Sequence, residues 1–245
     1  MRVLKVVAEG LTTSFRRPHF MHGIQPTFRM PPPATIYGHI CSAFGEVVPP
    51  EGIAFAYHFS ARTGFSDIEH THIVAESSGK LKGTNYPKVL EGSVNPFKRE
   101  ILFQPRLTLY LNHPEWIDRF HSPRYAVVLG RSQDLFTYTS CETVELEQAE
   151  YAYFEHTLLP YEMAVQVGMG IVELLPRYID YERKRRPTFA RYLLLEQRAY
   201  SSNFWHFEPE SLYWVDPTSQ LEKEAYLGLV FHTFVGEDHE SISLA

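Results

Sequence analysis

Two stretches of alternating apolar residues constrain the fold more than any other feature of the sequence. In residues 53–62 and again in residues 101–112, apolar side chains alternate with small or polar ones. A period of two is typical of a strand with one face buried and the other face exposed to solvent. Each stretch therefore predicts a strand that lies on one side of a hydrophobic core.

The other elements predicted for the N-terminal half fit around these two strands. Residues 3–8 are almost continuously apolar, as in a central strand that is buried on both faces. After the triple proline at 31–33, apolar residues recur at helical spacing up to Gly45, which suits a C-terminal helix cap. A short helix is predicted from Pro114, and a further strand is predicted to end at Gly130.

The predicted order of elements is strand, helix, strand, strand, helix, strand. It is the βαββαβ order of an α+β, ferredoxin-like (RRM-like) domain, which we predict for residues 1–140. Residues 63–98 are too long for an ordinary connection, and they predict a protruding hairpin insertion. Candidate strands at 170–175, 192–198 and 228–234 predict a smaller, mostly β C-terminal region over residues 141–245.

The charge of the chain is distributed unevenly. The formal net charge is −6 and the calculated pI is 6.1, which argues against binding nucleic acid by overall positive charge. Residues 1–40, however, contain five basic residues against one acidic residue, Glu9, and residues 183–186 are all basic. This distribution is compatible with an anionic partner on one side of the protein, and equally with solvated faces that balance each other.

Several classes of protein are not indicated by the sequence. No apolar run has the length of a membrane span and no signal peptide is recognisable, so we expect a cytoplasmic protein without membrane contact. Cys41 and Cys141 are far apart in sequence and lack CxxC partners. His70 and His72 form an HxH pair without a third ligand at suitable spacing. We therefore expect neither a bound metal nor a cofactor.

Residues 14–46 carry the strongest signal for binding. This stretch interleaves basic and aromatic residues and leads into the predicted helix: Arg16, Arg17 and Arg29 with Phe15, Phe20, Phe28 and Tyr37. Guanidinium groups bind phosphates, aromatic faces stack on unpaired bases, and the start of a helix favours anions. The alternative is that the aromatic side chains belong to the core and that the arginines are simply solvated.

Several motifs of this stretch resemble a known family. SFRRPHF, QPTF and PPPATIYGHICSAFGE, followed by LGRS at 129–132, resemble the N-terminal signature of the CRISPR-associated Cas-five family, particularly its type I-B branch. The resemblance covers about the first 140 residues. It implies a RAMP protein with an RRM-like fold, a Cascade subunit that binds and caps the 5′ handle of the crRNA and helps to assemble the effector complex for antiviral defence. It also implies that residues 63–98 form a thumb-like hairpin directed at a neighbouring subunit.

The resemblance implies site residues and partners as well. Contacts to RNA are expected at matching positions, namely Arg16, Arg17, His19, Phe20, Arg29, Thr35, Tyr37, Arg131 and Ser132. The expected partners are the 5′ handle of the crRNA, a Cas-seven-like backbone subunit, a Cas-eight-like large subunit, and target DNA through the assembled complex. Ile36 and Ile40 lie in the same motif but are better explained as core residues.

Catalysis is not expected. One branch of the family cleaves the guide precursor with tyrosine, lysine and histidine side chains, and His19, His22 and His39 lie near the arginine-rich stretch. No set of these residue types here matches the spacing of that branch, and the sequence lacks the Walker, HExxH and GxSxG motifs. Two alternatives remain, a metal-independent endoribonuclease that processes pre-crRNA and a general single-stranded nucleic-acid binder.

Overall fold

The computed structural model describes residues 1–20, 23–205, 212–219 and 225–236, of which about 55% lie in strands and 15% in helices. The strands are β1 (Arg2–Gly10), β2 (Thr12–Thr13), β3 (Phe15–Arg16), β4 (Ile24–Gln25), β5 (Thr27–Phe28), β6 (Ala54–Lys80), β7 (Pro87–Leu111), β8 (Phe136–Glu145), β9 (Glu147–Ala149), β10 (Ala152–Phe154), β11 (Thr157–Pro160), β12 (Ile171–Asp180), β13 (Arg186–Leu195), β14 (Ala199–Tyr200), β15 (Tyr213–Asp216), β16 (Tyr226–Leu229) and β17 (His232–Thr233). The α-helices are α1 (Pro33–Phe44), α2 (Ile117–His121) and α3 (Ala164–Val167), and short 3-10 helices occur at Pro114–Trp116, Tyr161–Met163, Ser201–Asn203 and Pro217–Ser219.

A large, curled antiparallel sheet organises the protein. Its main strands lie in the order β17, β6, β7, β1 and β8, and β2 and β4 pair with β7 further along its length. β1 is central, since it pairs with β7 on one side and β8 on the other. Both faces of β1 are buried, which explains its nearly continuous apolar sequence.

The two longest strands form a hairpin that extends well beyond the core. β6 and β7 pair from Phe55 and Leu111 at the base to Lys80 and Pro87 near the tip. Residues 63–98 are the outer part of this hairpin and are mostly exposed, including apolar side chains such as Ile68 (64%), Val74 (59%) and Tyr86 (72%). Residues 63–98 thus form a protruding hairpin, which continues two strands of the core.

The predicted ferredoxin-like βαββαβ domain is wrong, because the chain is mostly β and built on the large curled sheet. The two alternating runs belong to strands of 27 and 25 residues, so that β6 and β7 dominate the architecture. The strand predicted before Gly130 is absent, and Val128 makes only an isolated bridge to Leu135. The strand that pairs with β1 on the side opposite β7 is β8, whose largely polar sequence gives little hydrophobic signal.

The main hydrophobic core lies between one face of the large sheet and α1. Leu4, Phe55 and Leu109 from the sheet pack in this core with Ile36 and Ile40 of α1. Residues of the C-terminal half also belong to it, namely Leu158, Leu175, Tyr192, Leu194 and Phe234. The proposed boundary at residue 140 stays a prediction.

The opposite face of the large sheet packs on a second sheet, with strand order β14, β10, β16, β15 and β9. A buried polar contact fixes this packing: Lys5 Nζ and the Tyr110 hydroxyl each donate to Asp216 Oδ2 at 2.7 Å. Burial alone would raise the pKa of Asp216, but the hydrogen bonds from Lys5, Thr218 and Tyr110 outweigh it and lower that pKa. The carboxylate is therefore held in its charged form inside the protein.

The third sheet completes the fold and has the strand order β11, β13 and β12. The candidate strand at 170–175 falls within β12, while 192–198 overlaps β13 and 228–234 overlaps β16 and β17. β12 packs on α1, and Tyr178 of β12 meets Tyr37 edge-on. Within the described ranges, no helix has both the length and the apolar character needed to span a membrane.

His58 of β6 makes the stability of this packing dependent on pH. Its ring lies 3.8 Å from the Glu155 carboxylate and edge-on to His156. Burial and then the neighbouring His156 lower the pKa of His58 from 6.5 to about 4, despite the opposing effect of Glu155. Between these two pKa values the unfolded chain binds a proton that the folded protein excludes. The contribution of His58 to the free energy of unfolding is therefore fully present above about pH 6.5, and it is lost as the pH falls towards 4.

When the pH is lowered from about 7.5 to about 5, we expect the free energy of unfolding of the wild-type protein to fall by about 2 kcal/mol because of His58 alone. Urea unfolding of the His58→Gln variant should show a decrease smaller by that amount. His19→Gln, which changes an exposed histidine, serves as the control and should keep the full decrease. An equal pH dependence in all three proteins would contradict the assignment.

Candidate nucleic-acid interface

A cleft of about 550 Å³ opens at the start of α1. Its walls come from the loop before α1, the turn at residue 130, β7 and the hairpin of β12 and β13. The cleft is lined by four arginines, by apolar side chains and by the first turn of the helix: Arg16, Arg99, Arg131 and Arg185, with Phe15, Pro18, Pro176, Ile179, Pro187 and Phe189, and with Pro32, Ala34 and Thr35. Cations and apolar surface together suit a ligand that carries both phosphate and flat rings.

Asp134 holds Arg131 in place. The guanidinium of Arg131 donates to both carboxylate oxygens of Asp134, at 3.0 and 2.7 Å, and its backbone N–H donates at 2.9 Å. The same fully buried carboxylate accepts from the Ser14 backbone N–H and the Thr12 hydroxyl, both at 3.2 Å. Hydrogen bonding to Asp134 raises the pKa of Arg131. One carboxylate thus joins the loop after β1 to the turn that presents Arg131.

The turn requires glycine at position 130. Gly130 has a φ of +106°, which side chains rarely adopt, and an added Cβ would collide with the Thr13 hydroxyl and the Ser14 carbonyl. Thr13 in turn donates to the carbonyl of Leu129. The backbone of the LGRS segment therefore lies directly against the loop that carries Arg16.

Glu69 connects the long hairpin to the cleft. Its Oε2 accepts a hydrogen bond from Arg99 Nε and lies 3.7 Å from Arg131 Nη1. The guanidinium of Arg99 also lies 5.0 Å from the centre of the Phe97 ring. Two of the four arginines in the cleft therefore share one carboxylate.

The other two arginines are arranged differently. Arg16 is exposed and forms no ion pair with any described residue. Arg185 lies in the turn between β12 and β13, where its guanidinium is 5.5 Å from the centre of the Tyr181 ring. Lys184 and Arg185 adopt positive φ angles of 54° and 59°, which curl this turn. Arg16 and Arg185 thus have guanidinium groups that remain available to an anion.

The start of α1 adds a favourable field to the cleft. Pro33 occupies the first helical turn, and no side chain caps the helix at Pro32. The aligned peptide dipoles of a helix give its start a partial positive charge, which favours an anion nearby. Thr35 lies in this turn with its backbone N–H bonded to the Pro32 carbonyl at 2.8 Å.

The nine residues expected to contact RNA are therefore only partly brought together. Arg16, Thr35 and Arg131 line the cleft, and Ser132 is exposed beside Arg131. Arg29 lies instead in a separate pocket of about 210 Å³ with His156 and Glu196.

The remaining expected contacts are placed elsewhere. His19 and Phe20 are exposed next to the cleft residue Pro18, and His22 lies outside the described residues. Arg17 pairs with Glu173 of β12 and stacks over the Phe28 ring at 4.7 Å. Tyr37 is in the core, where its hydroxyl donates to the Val48 carbonyl and burial raises its pKa. Arg17 and Tyr37 thus have structural partners in the positions where the sequence predicts RNA contacts.

Sequence reasoning missed several residues of the cleft. Arg99 follows the segment predicted as a hairpin, and Glu69 lies within it, so neither could be linked to the cleft without knowing the pairing of β6 and β7. Asp134 comes three residues after Arg131 and gives no sequence signal of its own. The basic run at 183–186 is visible in the sequence, but only the β12–β13 hairpin brings Arg185 to the cleft.

The described residues contain no group of three or more His, Cys, Asp or Glu side chains that could hold a metal ion. The HxH pair, His70 and His72, lies on the outer hairpin with ring centres 6.3 Å apart.

Removing the Asp134 carboxylate should destabilise the protein. In Asp134→Ala, the Ser14 amide, the Thr12 hydroxyl and the Arg131 guanidinium each lose a buried acceptor, with an expected cost of about 3 kcal/mol in unfolding free energy. Ser132→Ala, two residues away and exposed, should change it by less than about 0.5 kcal/mol. Urea unfolding measures both. A cost for Asp134→Ala as small as that of the control would show that the network does not stabilise the fold.

Comparisons with known proteins give a likeness of fold. No family model and no curated protein matches this sequence. Among solved structures, the chain is similar to a chain of a "CRISPR RNA-guided surveillance complex", with a TM-score of 0.51, 12% identity, and coverage of 82% of this chain and 92% of that one. A weaker likeness is to a CRISPR protein from Archaeoglobus fulgidus, with a TM-score of 0.48, 13% identity, and coverage of 82% of this chain and 91% of that one. Another is to a structure of the Type III-B Cmr-beta bound to cognate target RNA, with a TM-score of 0.44, 14% identity, and coverage of 82% of this chain and 87% of that one. The protein therefore shares its fold with a chain from a CRISPR RNA-guided surveillance complex.

Proposed function

We propose that this protein is a CRISPR-associated subunit of an RNA-guided effector complex, in which it binds the 5′ handle of the crRNA and contributes to antiviral defence. The observation that carries the proposal is the cleft, which combines Arg16, Arg131 and Arg185 with the uncapped start of α1. The shared fold and the Cas-five-like motifs that line the same cleft support it.

The chemistry of the cleft suits a single-stranded nucleic acid, such as the 5′ handle of a crRNA. Exposed guanidiniums at Arg16 and Arg185 can each donate two hydrogen bonds to a phosphate. Phe189 is partly exposed at the cleft and offers a ring on which a base can stack, an interaction worth about 1–3 kcal/mol. A short strand can therefore bind although the whole chain carries a net charge of −6.

The partners proposed for the complex are protein subunits resembling Cas-seven and Cas-eight, with target DNA reached through the assembly. The outer part of the β6–β7 hairpin supports contact with another protein, because it exposes Ile68, Val74 and Tyr86 on strands that project from the core. Exposed apolar side chains concentrated on a projecting element are typical of interaction surfaces.

We propose a binding role without catalysis. His39, one of the histidines near the arginine-rich stretch, is fully buried, and its ring nitrogens lie 3.0 Å from the Val128 carbonyl and the Tyr138 hydroxyl. Burial lowers the pKa of His39. Since the core holds this imidazole, it is not available as a general base for RNA cleavage.

RNA recovered with the protein tests the proposed role. When the chain is co-expressed with its genomic neighbours and a repeat–spacer array, sequencing of the copurified RNA should give guides that share one 5′ end. Random RNA would favour a general single-strand binder. Cleavage of a repeat hairpin by the purified protein in the presence of EDTA would favour the endoribonuclease.

Substitution of the two available arginines tests the cleft itself. Arg16→Ala with Arg185→Ala should weaken binding of the guide RNA by at least about tenfold, or about 1.4 kcal/mol. The slope of log K against log salt should fall by about 0.7 for each phosphate contact that is lost. Binding is measured by fluorescence anisotropy over a range of salt concentrations.

The matched control is Arg2→Ala with Arg62→Ala. It changes the net charge equally at two exposed arginines outside the cleft, whose partners are the neutral side chains of Thr143 and Gln104. Equal weakening in both double variants would indicate a general charge effect and contradict the cleft as the binding site.

A further inference from the structure

We infer that Glu69 occupies the position of a ligand phosphate in the cleft and that bound RNA displaces it. The inference rests on the proposed function, which it deepens by assigning a residue that regulates access to Arg99 and Arg131. The Glu69 carboxylate bridges these two arginines, and both line the cleft. Guanidinium groups bind the oxygens of carboxylates and of phosphates with the same charge-assisted hydrogen bonds, so a phosphate can take the place of this carboxylate.

Glu69 differs from the other carboxylate of the site in ways that suit displacement. Asp134 has a fully buried side chain and accepts from the backbone N–H groups of Ser14 and Arg131, so its loss would disrupt the loops. The Glu69 side chain is 32% exposed, and its ion pairs within the described residues run to Arg99 and Arg131 alone. Glu69 can therefore leave without breaking a backbone hydrogen bond.

Each of the two arginines keeps a partner during the exchange. Arg131 keeps both of its bonds to Asp134 when Glu69 leaves, so its guanidinium stays oriented towards the cleft. Arg99 keeps its contact with the Phe97 ring. A phosphate that enters would replace the hydrogen bond that Arg99 gives to Glu69, so neither guanidinium is left buried without an anion.

The competition discriminates between ligands. An isolated phosphate would interact with Arg99 and Arg131 about as favourably as the Glu69 carboxylate does, so its net binding free energy would be small. A longer RNA strand also contacts Arg16 and Arg185, and those contacts offset the cost of moving Glu69. Because Glu69 lies on the outer part of β6, RNA that displaces it also releases a contact between the long hairpin and the cleft.

The test compares Glu69→Gln with the wild-type full-length protein, using a fluorescent single-stranded RNA of about eight nucleotides. Removal of the competing charge should tighten binding by about three- to tenfold. The matched control is Glu9→Gln, which removes the same charge from a carboxylate paired with Arg106 at 2.6 Å, outside the cleft. It should leave the affinity within about twofold of wild type.

Weaker binding by Glu69→Gln would overturn the inference, since Glu69 would then orient the arginines. Unchanged binding would overturn it as well, since Glu69 would then not compete with the ligand. Glu69→Ala must shift the affinity in the same direction as Glu69→Gln, which provides a second measurement if one variant folds poorly. The double variant Arg16→Ala with Arg185→Ala, in the same assay, separates the two claims. If it binds RNA as wild type does, the proposed function fails; if it binds more weakly while Glu69→Gln is unchanged, only the role of Glu69 fails.

Discussion

The burial of β1 on both faces is the constraint on which the rest of the structure depends. One face of β1 packs with α1 in the main core, and the other packs against the second sheet, where Lys5 reaches the buried Asp216. Since β1 is hydrogen-bonded to β7 and β8 as well, it is enclosed on four sides. The segment that leaves its end at Gly10 consequently starts from a fixed point, and this segment carries Arg16 to the cleft.

Local features of the fold could be predicted from the sequence, whereas strand pairing could not. The helix after the triple proline, its end at Gly45 and the core positions Ile36 and Ile40 follow from spacing within a dozen residues. One of the two partners of β1 is β8, which lies more than 120 positions away and is largely polar, so no local pattern identifies it. The ferredoxin-like prediction failed because the order of elements was read without knowledge of which strands pair and how long they are.

The candidate site shows the same division between local and long-range information. Arg16 is the last residue of the two-residue strand β3 and Arg17 directly follows it, yet the two side chains have different surroundings. Arg16 meets the cleft and Arg17 meets Glu173 of β12, and the sequence alone cannot say which faces the ligand. Tyr37 was predicted to contact RNA because of its motif, but the helical position next to Ile36 turns it into the core, against Tyr178 and Phe234.

The charges in the cleft explain how an acidic protein can present a site for an anion. Arg131 and Arg99 are held by Asp134 and Glu69, which keep them oriented and satisfied in the absence of a ligand. Such preorganisation lowers the conformational cost of binding, but each carboxylate also opposes an incoming phosphate. Burial decides which effect dominates at each carboxylate. Asp134 is enclosed and mainly positions Arg131, whereas Glu69 is partly exposed and, in the exchange proposed above, gives way to a ligand oxygen. Because Glu69 belongs to the projecting hairpin, a ligand that displaced its carboxylate would also break the ion pair between that hairpin and Arg131.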